Sequence, residues 1–180
     1  MANKCITLPE LRTIARAARG YIDKIYLHWT AGYYHQFSAD YHLCIDEDGA
    51  IIATTDDLTT IKAHTWRRNS NAIGIALCCC AEAVAYAGGN IDYGPNPPTP
   101  EQIDSMAKAV TVLCEELGLA INDSNVLTHC EAAELDDYGP STTCERWDLW
   151  YLPDLPGNGK MKPGGDVIRG KAIWFENQGL

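Results

Sequence analysis

The sequence predicts a single α/β domain with a mixed central β-sheet flanked by helices. Three observations favour this fold class: amphipathic segments with helix-capping signals, short apolar segments with strand periodicity, and one apolar run suited to a strand covered on both faces. The length of 180 residues fits one domain, and 46% hydrophobic and 21% charged residues is an ordinary globular composition. The predicted order of elements is α-β-β-β-β-α-β.

The first predicted helix covers residues 8–19. Thr7 and Glu10 have the spacing of a capping box, and apolar residues then recur with helical period. Gly20 follows where a C-terminal glycine is expected.

Four strand segments are predicted in the first half of the chain. Residues 24–30 alternate with period two, and residues 41–54 are typical of a hairpin that turns at Asp48-Gly49. Residues 72–80 form a nearly continuous apolar run, which predicts a central strand.

The second half begins with a loop predicted at residues 86–98, which are rich in glycine and proline and have no period. Thr99 and Gln102 then form a capping box around a proline, which predicts a helix that ends at Gly118. A short strand is expected at residues 125–130.

The C-terminal part is predicted to be irregular at residues 134–165, with a short helix near 166–176. We expect residues 1–155 to form the main domain. Residues 156–180 are too short for a separate domain of at least ~50 residues, and we expect them to pack on the same domain.

Charge and apolar content exclude several classes of partner. The formal net charge is −10, so we expect no nucleic acid partner, because such binding depends on neutralising phosphates. No stretch approaches the ~18 apolar residues of a membrane span, so we expect no membrane partner. The N-terminus has no apolar signal region, which predicts a protein that is cytoplasmic at synthesis. Most of the eight cysteines lie in apolar patterns and are expected to be buried thiols.

Two histidines are candidate metal ligands. A hydrolytic zinc site uses three protein ligands and leaves a fourth position for water. His28 and His129 each lie in a predicted strand, which would hold them rigidly. Their spacing is not that of a local metal motif, and either residue taken alone is more typical of a hydrogen-bonded structural histidine.

Five blocks of the sequence together resemble zinc-dependent N-acetylmuramoyl-L-alanine amidases. This family includes phage endolysins of the amidase type and peptidoglycan-recognition proteins. The blocks, in order, are HWTAG (28–32), DYHLCIDEDGAI (40–51), AHTWRRNSNAIGIAL (63–77), NVLTHCEAA (125–133) and CERWDLWYL (144–152). Each block is weak alone, but their order and spacing over residues 20–152 are specific.

The resemblance implies that His28, His129 and Asp148 bind Zn²⁺. Cys144 is an alternative third ligand, because thiolates also suit zinc. The family usually has a lysine or arginine two residues before the third ligand. Arg146 has this position relative to Asp148, which favours Asp148.

The same resemblance implies catalytic roles for Tyr41 and Arg146. Many members have a glutamate at the position of Ala76 and use it as the general base, whereas a mostly phage-type subset has a tyrosine at the position of Tyr41. We therefore expect Tyr41 to orient or deprotonate the metal-bound water and Arg146 to stabilise the oxyanion. A packed strand aromatic and a surface ion pair are the alternative interpretations of Tyr41 and Arg146.

Substrate contacts are expected from His64, Asn69 and Asn71, which resemble a segment that lines the family's substrate site. An exposed loop histidine is the alternative for His64. His42 is interpreted as structural.

The sequence therefore predicts a peptidoglycan hydrolase that cleaves the amide between N-acetylmuramic acid and L-alanine. We expect a monomeric phage or prophage endolysin that reaches the cell wall after holin-type release. The alternatives are a non-catalytic peptidoglycan-binding module and a cytosolic amidase that recycles muropeptides.

Overall fold

The computed structural model describes residues 3–86, 88–154 and 159–180. The strands are β1 (Lys4–Ile6), β2 (Lys24–Trp29), β3 (Leu43–Ile45), β4 (Ile51–Ala53), β5 (Ala72–Leu77), β6 (Val84–Tyr86), β7 (Asn90–Asp92), β8 (Val126–Thr128), β9 (Tyr151–Pro153) and β10 (Met161–Pro163). The helices are α1 (Leu8–Ala17), α2 (Pro100–Leu117), α3 (His129–Leu135) and α4 (Gly164–Asn177).

The central sheet has six strands in the order β1-β4-β3-β5-β2-β8. Strand β2 pairs in parallel with β5 and β8, and β3 pairs in parallel with β5. Strand β4 is antiparallel to both β1 and β3. This confirms the mixed sheet flanked by helices and the central position of the apolar run at β5.

Local signals set the ends of two of the three predicted helices. Thr7 caps α1 and Thr99 caps α2, each with a complete capping box. Helix α2 ends at Leu117, and Gly118 caps it with a φ of 76°, the left-handed conformation that glycine adopts without strain. Helix α1 ends at Ala17, two residues before the predicted boundary.

The two faces of β2 have different roles. Ile25, Leu27 and Trp29 are buried in the main core with residues of α1, α2 and α4. Tyr26 and His28 alternate with them and therefore lie on the opposite face. The pleat of β2 thus separates the apolar core from the face that carries His28.

The structure corrects three predictions. Strand β1 was not expected, since a three-residue edge strand has too few positions to show a period. Residues 86–98 are not a plain loop, because β6 and β7 form an antiparallel hairpin whose turn contains Gly88 and Gly89, both with positive φ. Residues 134–165 include α3 residues and the hairpin of β9 with β10, so this part is less irregular than predicted.

The cysteines and the C-terminal helix follow the predictions more closely. Cys44, Cys78–Cys80, Cys114 and Cys130 are buried free thiols. The helix expected near 166–176 is α4, which packs against α2 and β8.

The expected domain boundary at 155/156 lies outside the described residues. No helix in the described ranges combines the length and apolarity needed to cross a bilayer.

Candidate metal centre and substrate cleft

Parallel pairing of β2 with β8 brings His28 and His129 together. In the register of these strands Leu27 lies opposite Thr128, so the next residues, His28 and His129, are neighbours at the carboxyl ends. Their ring centroids are 4.8 Å apart, which matches the usual spacing of adjacent strands. Tertiary structure therefore closes the long gap between them in sequence.

His129 is the first residue of α3 and not the end of a strand, which corrects the sequence prediction. The Thr128 side chain accepts a hydrogen bond from the Glu131 backbone N–H at 3.1 Å, and the Glu131 side chain accepts one from the Thr128 N–H. This capping box turns the chain into a helix directly after β8. His129 is consequently held at a strand-to-helix junction.

Asp148 contacts both histidines. Its Oδ2 atom is 3.1 Å from His28 Nδ1, and its Oδ1 atom is 3.3 Å from His129 Nδ1. The neighbouring Leu149 is fully buried, and Gly164 packs so closely on the Leu149 carbonyl that a Cβ atom there would lie 2.1 Å from the oxygen. Close packing of Leu149 against the start of α4 therefore fixes the position of the segment that carries Asp148.

The three side chains fit a divalent metal ion. One donor atom from each of His28, His129 and Asp148 lies within 4.8 Å of the others. Two ligands about 2.0–2.1 Å from a tetrahedral zinc ion are roughly 3.3 Å apart, close to the two distances observed. Two imidazoles and one carboxylate are also a donor set that zinc accepts.

Electrostatics keep these donors in forms that bind cations. Burial would raise the pKa of Asp148, but the histidines, His129 foremost, outweigh it and hold that pKa well below its usual range. Burial lowers the pKa of His28 even though Asp148 opposes the shift. The site therefore offers a carboxylate and a neutral imidazole at neutral pH.

A cleft of about 560 Å³ lies over this centre. Three indole rings contribute to its walls, together with residues from the loops that follow β2, precede β5 and follow α3. The lining residues are Trp29, Thr30, Ala31, Tyr41, Ala63, His64, Thr65, Trp66, Asn69, His129, Arg146, Trp147 and Asp148.

Tyr41 and Arg146 both line the cleft. The Tyr41 ring centroid is 5.0 Å from that of His28, and burial, followed by the charge of Asp148, raises the pKa of Tyr41. The phenol is therefore a neutral donor. Arg146 is exposed, and within the described ranges no carboxylate lies within 4.0 Å of its guanidinium, so no surface ion pair holds it. Ala76 lies opposite His28 in the pairing of β2 with β5 and is fully buried. Because this residue is an alanine, β5 offers no carboxylate beside His28.

The three predicted substrate residues have different positions. His64 lines the cleft but is buried, with a pKa lowered to about 2 by burial and by its histidine neighbours, so it is not an exposed loop residue. Asn69 also lines the cleft, and its Oδ1 atom accepts the backbone N–H groups of His64 and Thr65. Asn71 does not line the cleft: it precedes the amino end of β5, and its amide lies 3.4 Å from Asp23. The structure therefore does not bring Asn71 to the cleft with His64 and Asn69, and its contact with substrate stays a prediction.

Cys144 is not part of the group of donors. Its side chain is exposed, and its thiol lies 3.6 Å from the Pro140 carbonyl oxygen. Among the described residues, only Asp148 joins the two histidines in a cluster of this kind. The structure therefore separates two ligands that the chemistry of zinc leaves as alternatives.

Seven cleft residues were not predicted from the sequence: Trp29, Thr30, Ala31, Ala63, Thr65, Trp66 and Trp147. Each lies within three positions of a residue that was predicted, namely His28, His64 or Asp148. Proximity in sequence to a candidate ligand or substrate residue was the available signal. His42 is structural, as predicted: its Nδ1 accepts the Gly74 N–H and its Nε2 lies 2.7 Å from the Thr60 carbonyl.

A known protein family matches most of this chain. The model of the Amidase_2 family, N-acetylmuramoyl-L-alanine amidase, matches residues 18–147. The match includes His28 and His129 and ends one residue before Asp148. No curated protein matches the chain.

Two solved structures are similar to the chain. The endolysin N-acetylmuramoyl-L-alanine amidase LysCS from Clostridium intestinale URNW is 18% identical, with a TM-score of 0.43, over 61% of this chain and 69% of that one. PGRP-Hd from Alvinella pompejana is 20% identical, with a TM-score of 0.41, over 61% of this chain and 73% of that one. The family model alone covers well over half of the chain, and the protein therefore belongs to the N-acetylmuramoyl-L-alanine amidase family.

Proposed function

We propose that this protein hydrolyses the amide bond between the lactyl group of N-acetylmuramic acid and the L-alanine of the stem peptide, with Zn²⁺ held by His28, His129 and Asp148. The observation that carries the proposal is the convergence of these three donors, two of which (His129 and Asp148) line the cleft, in a chain of the amidase family. When bound, zinc lowers the pKa of its water to about 7 and polarises the carbonyl group.

Tyr41 supplies a neutral hydroxyl beside His28. In the proposed reaction the Tyr41 O–H donates a hydrogen bond that orients the attacking water or the substrate carbonyl. Ala76 provides no carboxylate to take up a proton. The proposed assignment is therefore orientation by a phenol and not general-base catalysis by a glutamate.

Arg146 supplies positive charge at the cleft wall. Its guanidinium has no carboxylate partner within the described ranges, so its charge remains available to the oxyanion that develops during amide cleavage. Trp29 and Trp147 pack edge to face, with ring centroids 5.4 Å apart, and line the same cleft as Arg146.

The cleft also suits a muramyl peptide. Its volume lies within the range of about 300–1,000 Å³ that small-molecule sites occupy. Trp66 is 52% exposed at the rim and can stack on a sugar ring or a peptide plane. We propose that His64 and Asn69 shape this side of the cleft.

The test is release of stem peptides from purified peptidoglycan. Zinc-loaded protein should generate new L-alanine amino termini without new reducing sugar ends, EDTA should abolish the release, and added zinc should restore it. Asp148→Ala should be inactive, while the matched variant Cys144→Ala should act like the wild type. A wild-type protein that binds peptidoglycan but contains no zinc and releases no peptide would instead indicate a binding module.

A second measurement addresses the biological setting. Tyr41 together with Ala76 resembles the phage-type subset, which supports a lysin that reaches the wall after holin-type release. A lysin should act on intact sacculi, whereas a recycling amidase should prefer soluble anhydro-muropeptides. Faster cleavage of the soluble substrate would contradict the lysin proposal.

A further inference from the structure

The hydroxyl of Thr65 lies between two histidine rings. Its Oγ1 atom is 3.4 Å from His28 Nε2 and 3.0 Å from His64 Nδ1. Thr65 is 1% exposed, His28 is fully buried, and His64 is 6% exposed. Because all three side chains are buried, water does not compete for the two contacts that Thr65 Oγ1 makes with the histidine rings.

One arrangement of protons is consistent with both contacts when His28 binds a cation through Nδ1. The Nδ1 atom faces Asp148, so the single proton of the neutral ring resides on Nε2. His28 Nε2–H can then donate to Thr65 Oγ1. The Thr65 O–H can in turn donate to His64 Nδ1, which leaves the proton of His64 on Nε2, a buried atom without a hydrogen-bond partner among the described residues.

The loop that carries Thr65 is fixed by its own hydrogen bonds. Asn69 Oδ1 accepts the backbone N–H of His64 at 3.1 Å and that of Thr65 at 2.7 Å. The side-chain amide of Asn69 is thereby used to hold the loop. This bonding pattern keeps the Thr65 hydroxyl at a constant position beside His28.

His64 is seated against β5 by a glycine. A Cβ atom at Gly74 would lie 2.6 Å from His64 Cγ, so only glycine admits the ring at this place. The Gly74 N–H donates to His42 Nδ1 at 3.0 Å. The ring of His64, the acceptor for the Thr65 hydroxyl, thus packs against the central strand β5.

We propose that Thr65, supported by His64, is a positioning residue that holds His28 in the tautomer and ring orientation that bind zinc through Nδ1. This inference rests on the zinc site of the proposed function. A metal-binding histidine usually donates its other ring N–H to a fixed acceptor, and loss of that acceptor typically weakens metal binding about 10–100-fold. His64 then serves the metal ligand through Thr65 and does not need to touch the substrate.

The test compares Thr65→Val with Thr65→Ser. Valine keeps the shape of threonine without the hydroxyl, and serine keeps the hydroxyl. Zinc affinity, measured by competition with a chromogenic chelator, should fall roughly 10–100-fold in Thr65→Val and remain near wild type in Thr65→Ser. Histidine ¹⁵N NMR of the metal-free proteins should show one tautomer of His28 in the wild type and in Thr65→Ser, and a mixture in Thr65→Val.

Thr111→Val is the matched control. Thr111 is also buried, and its hydroxyl bonds the carbonyls of Ala107 and Ala172 away from the cleft. This variant should have a lower Tm and unchanged zinc affinity. If Thr65→Val does not fold, Thr65→Ala compared with Thr65→Ser gives the same contrast.

Different outcomes overturn different claims. Wild-type zinc affinity in Thr65→Val, or weak binding in both Thr65→Val and Thr65→Ser, would overturn the positioning role while the metal site stands. A wild-type protein that binds no zinc would overturn the proposed metal site, and the inference with it.

Discussion

His28 Nδ1 lies 3.1 Å from Asp148 Oδ2, although 120 residues separate the two in sequence. His28 lies within the central strand β2. Asp148 lies in a loop whose next residue, Leu149, packs against the start of α4. A buried carboxylate between two imidazoles is well suited to a cation, since burial weakens the competition from water.

Replacement of Asp148 should remove the metal. Asp148→Ala leaves His28 and His129 with no third ligand, so zinc affinity should fall by more than the roughly 100-fold that loss of an outer partner costs. Zinc content after dialysis and amidase activity are the measurements. Cys144→Ala should retain both, and zinc loss in that variant instead would reverse the assignment of the third ligand.

Tyr41→Phe should lower kcat with little change in KM. The variant keeps the ring beside His28 and removes only the hydroxyl, and loss of one such donor to a developing oxyanion typically costs roughly 10²–10³ in kcat. Tyr93→Phe is the control, because the Tyr93 hydroxyl bonds the Tyr151 carbonyl outside the cleft. Equal kcat values for Tyr41→Phe and the wild type would refute a catalytic role.

Trp66→Ala should raise KM for a soluble muramyl peptide. Stacking on an exposed indole is worth about 1 kcal/mol, which corresponds to a several-fold change in KM. Trp174→Ala is the matched control, since Trp174 is similarly exposed at 57% but lies on α4 and does not line the cleft. Steady-state kinetics of both variants decide whether substrate reaches this rim.

Gly74→Ala should destabilise the protein and displace His64. The new methyl group would lie 2.6 Å from the ring, and overpacking of this kind costs about 1–3 kcal/mol in the free energy of unfolding. Gly170→Ala is the contrasting variant: its Cβ meets nothing within 4 Å, and a helical alanine should stabilise by about 0.5–1 kcal/mol. Chemical denaturation of both variants measures the difference.

The ion pair of Arg68 with Asp136 should make stability depend on pH at acid values. Two hydrogen bonds of 2.7 Å from Arg68 hold the pKa of Asp136 below its usual range. A lowered folded-state pKa contributes stability above the unfolded value of about 3.8, and this contribution is lost as the pH falls through the lowered pKa.

The expected contribution is about 1 kcal/mol at neutral pH, because the pair is partly exposed. The difference in the free energy of unfolding between wild type and Asp136→Asn should therefore shrink as the pH is lowered from 7 to 3. Asp137→Asn is the control, because Asp137 is exposed and is not the carboxylate that Arg68 binds. A difference that persists undiminished in acid would contradict the assignment.

The sequence by itself determined features that depend on neighbouring residues. The capping boxes at Thr7 and Thr99 and the apolar run of β5 predicted α1, α2 and the central strand correctly, because caps and side-chain alternation act over a few positions. The capping box of Thr128 with Glu131 is equally local. The strand pattern before it nevertheless predicts that the strand continues to residue 130, so the start of α3 was not predicted.

Tertiary structure alone decided which donors meet. His28 and His129 become neighbours through the pairing of β2 with β8, and Asp148 joins them because Gly164 lets α4 pack on the next residue. Cys144 and Asp148 are both acceptable to zinc, so ligand chemistry could not separate them, and position did. The contact of Thr65 with His28 likewise forms only after the loop that carries His64 and Thr65 packs against β5, since His28 lies far from this adjacent pair in sequence and no local pattern encodes their approach.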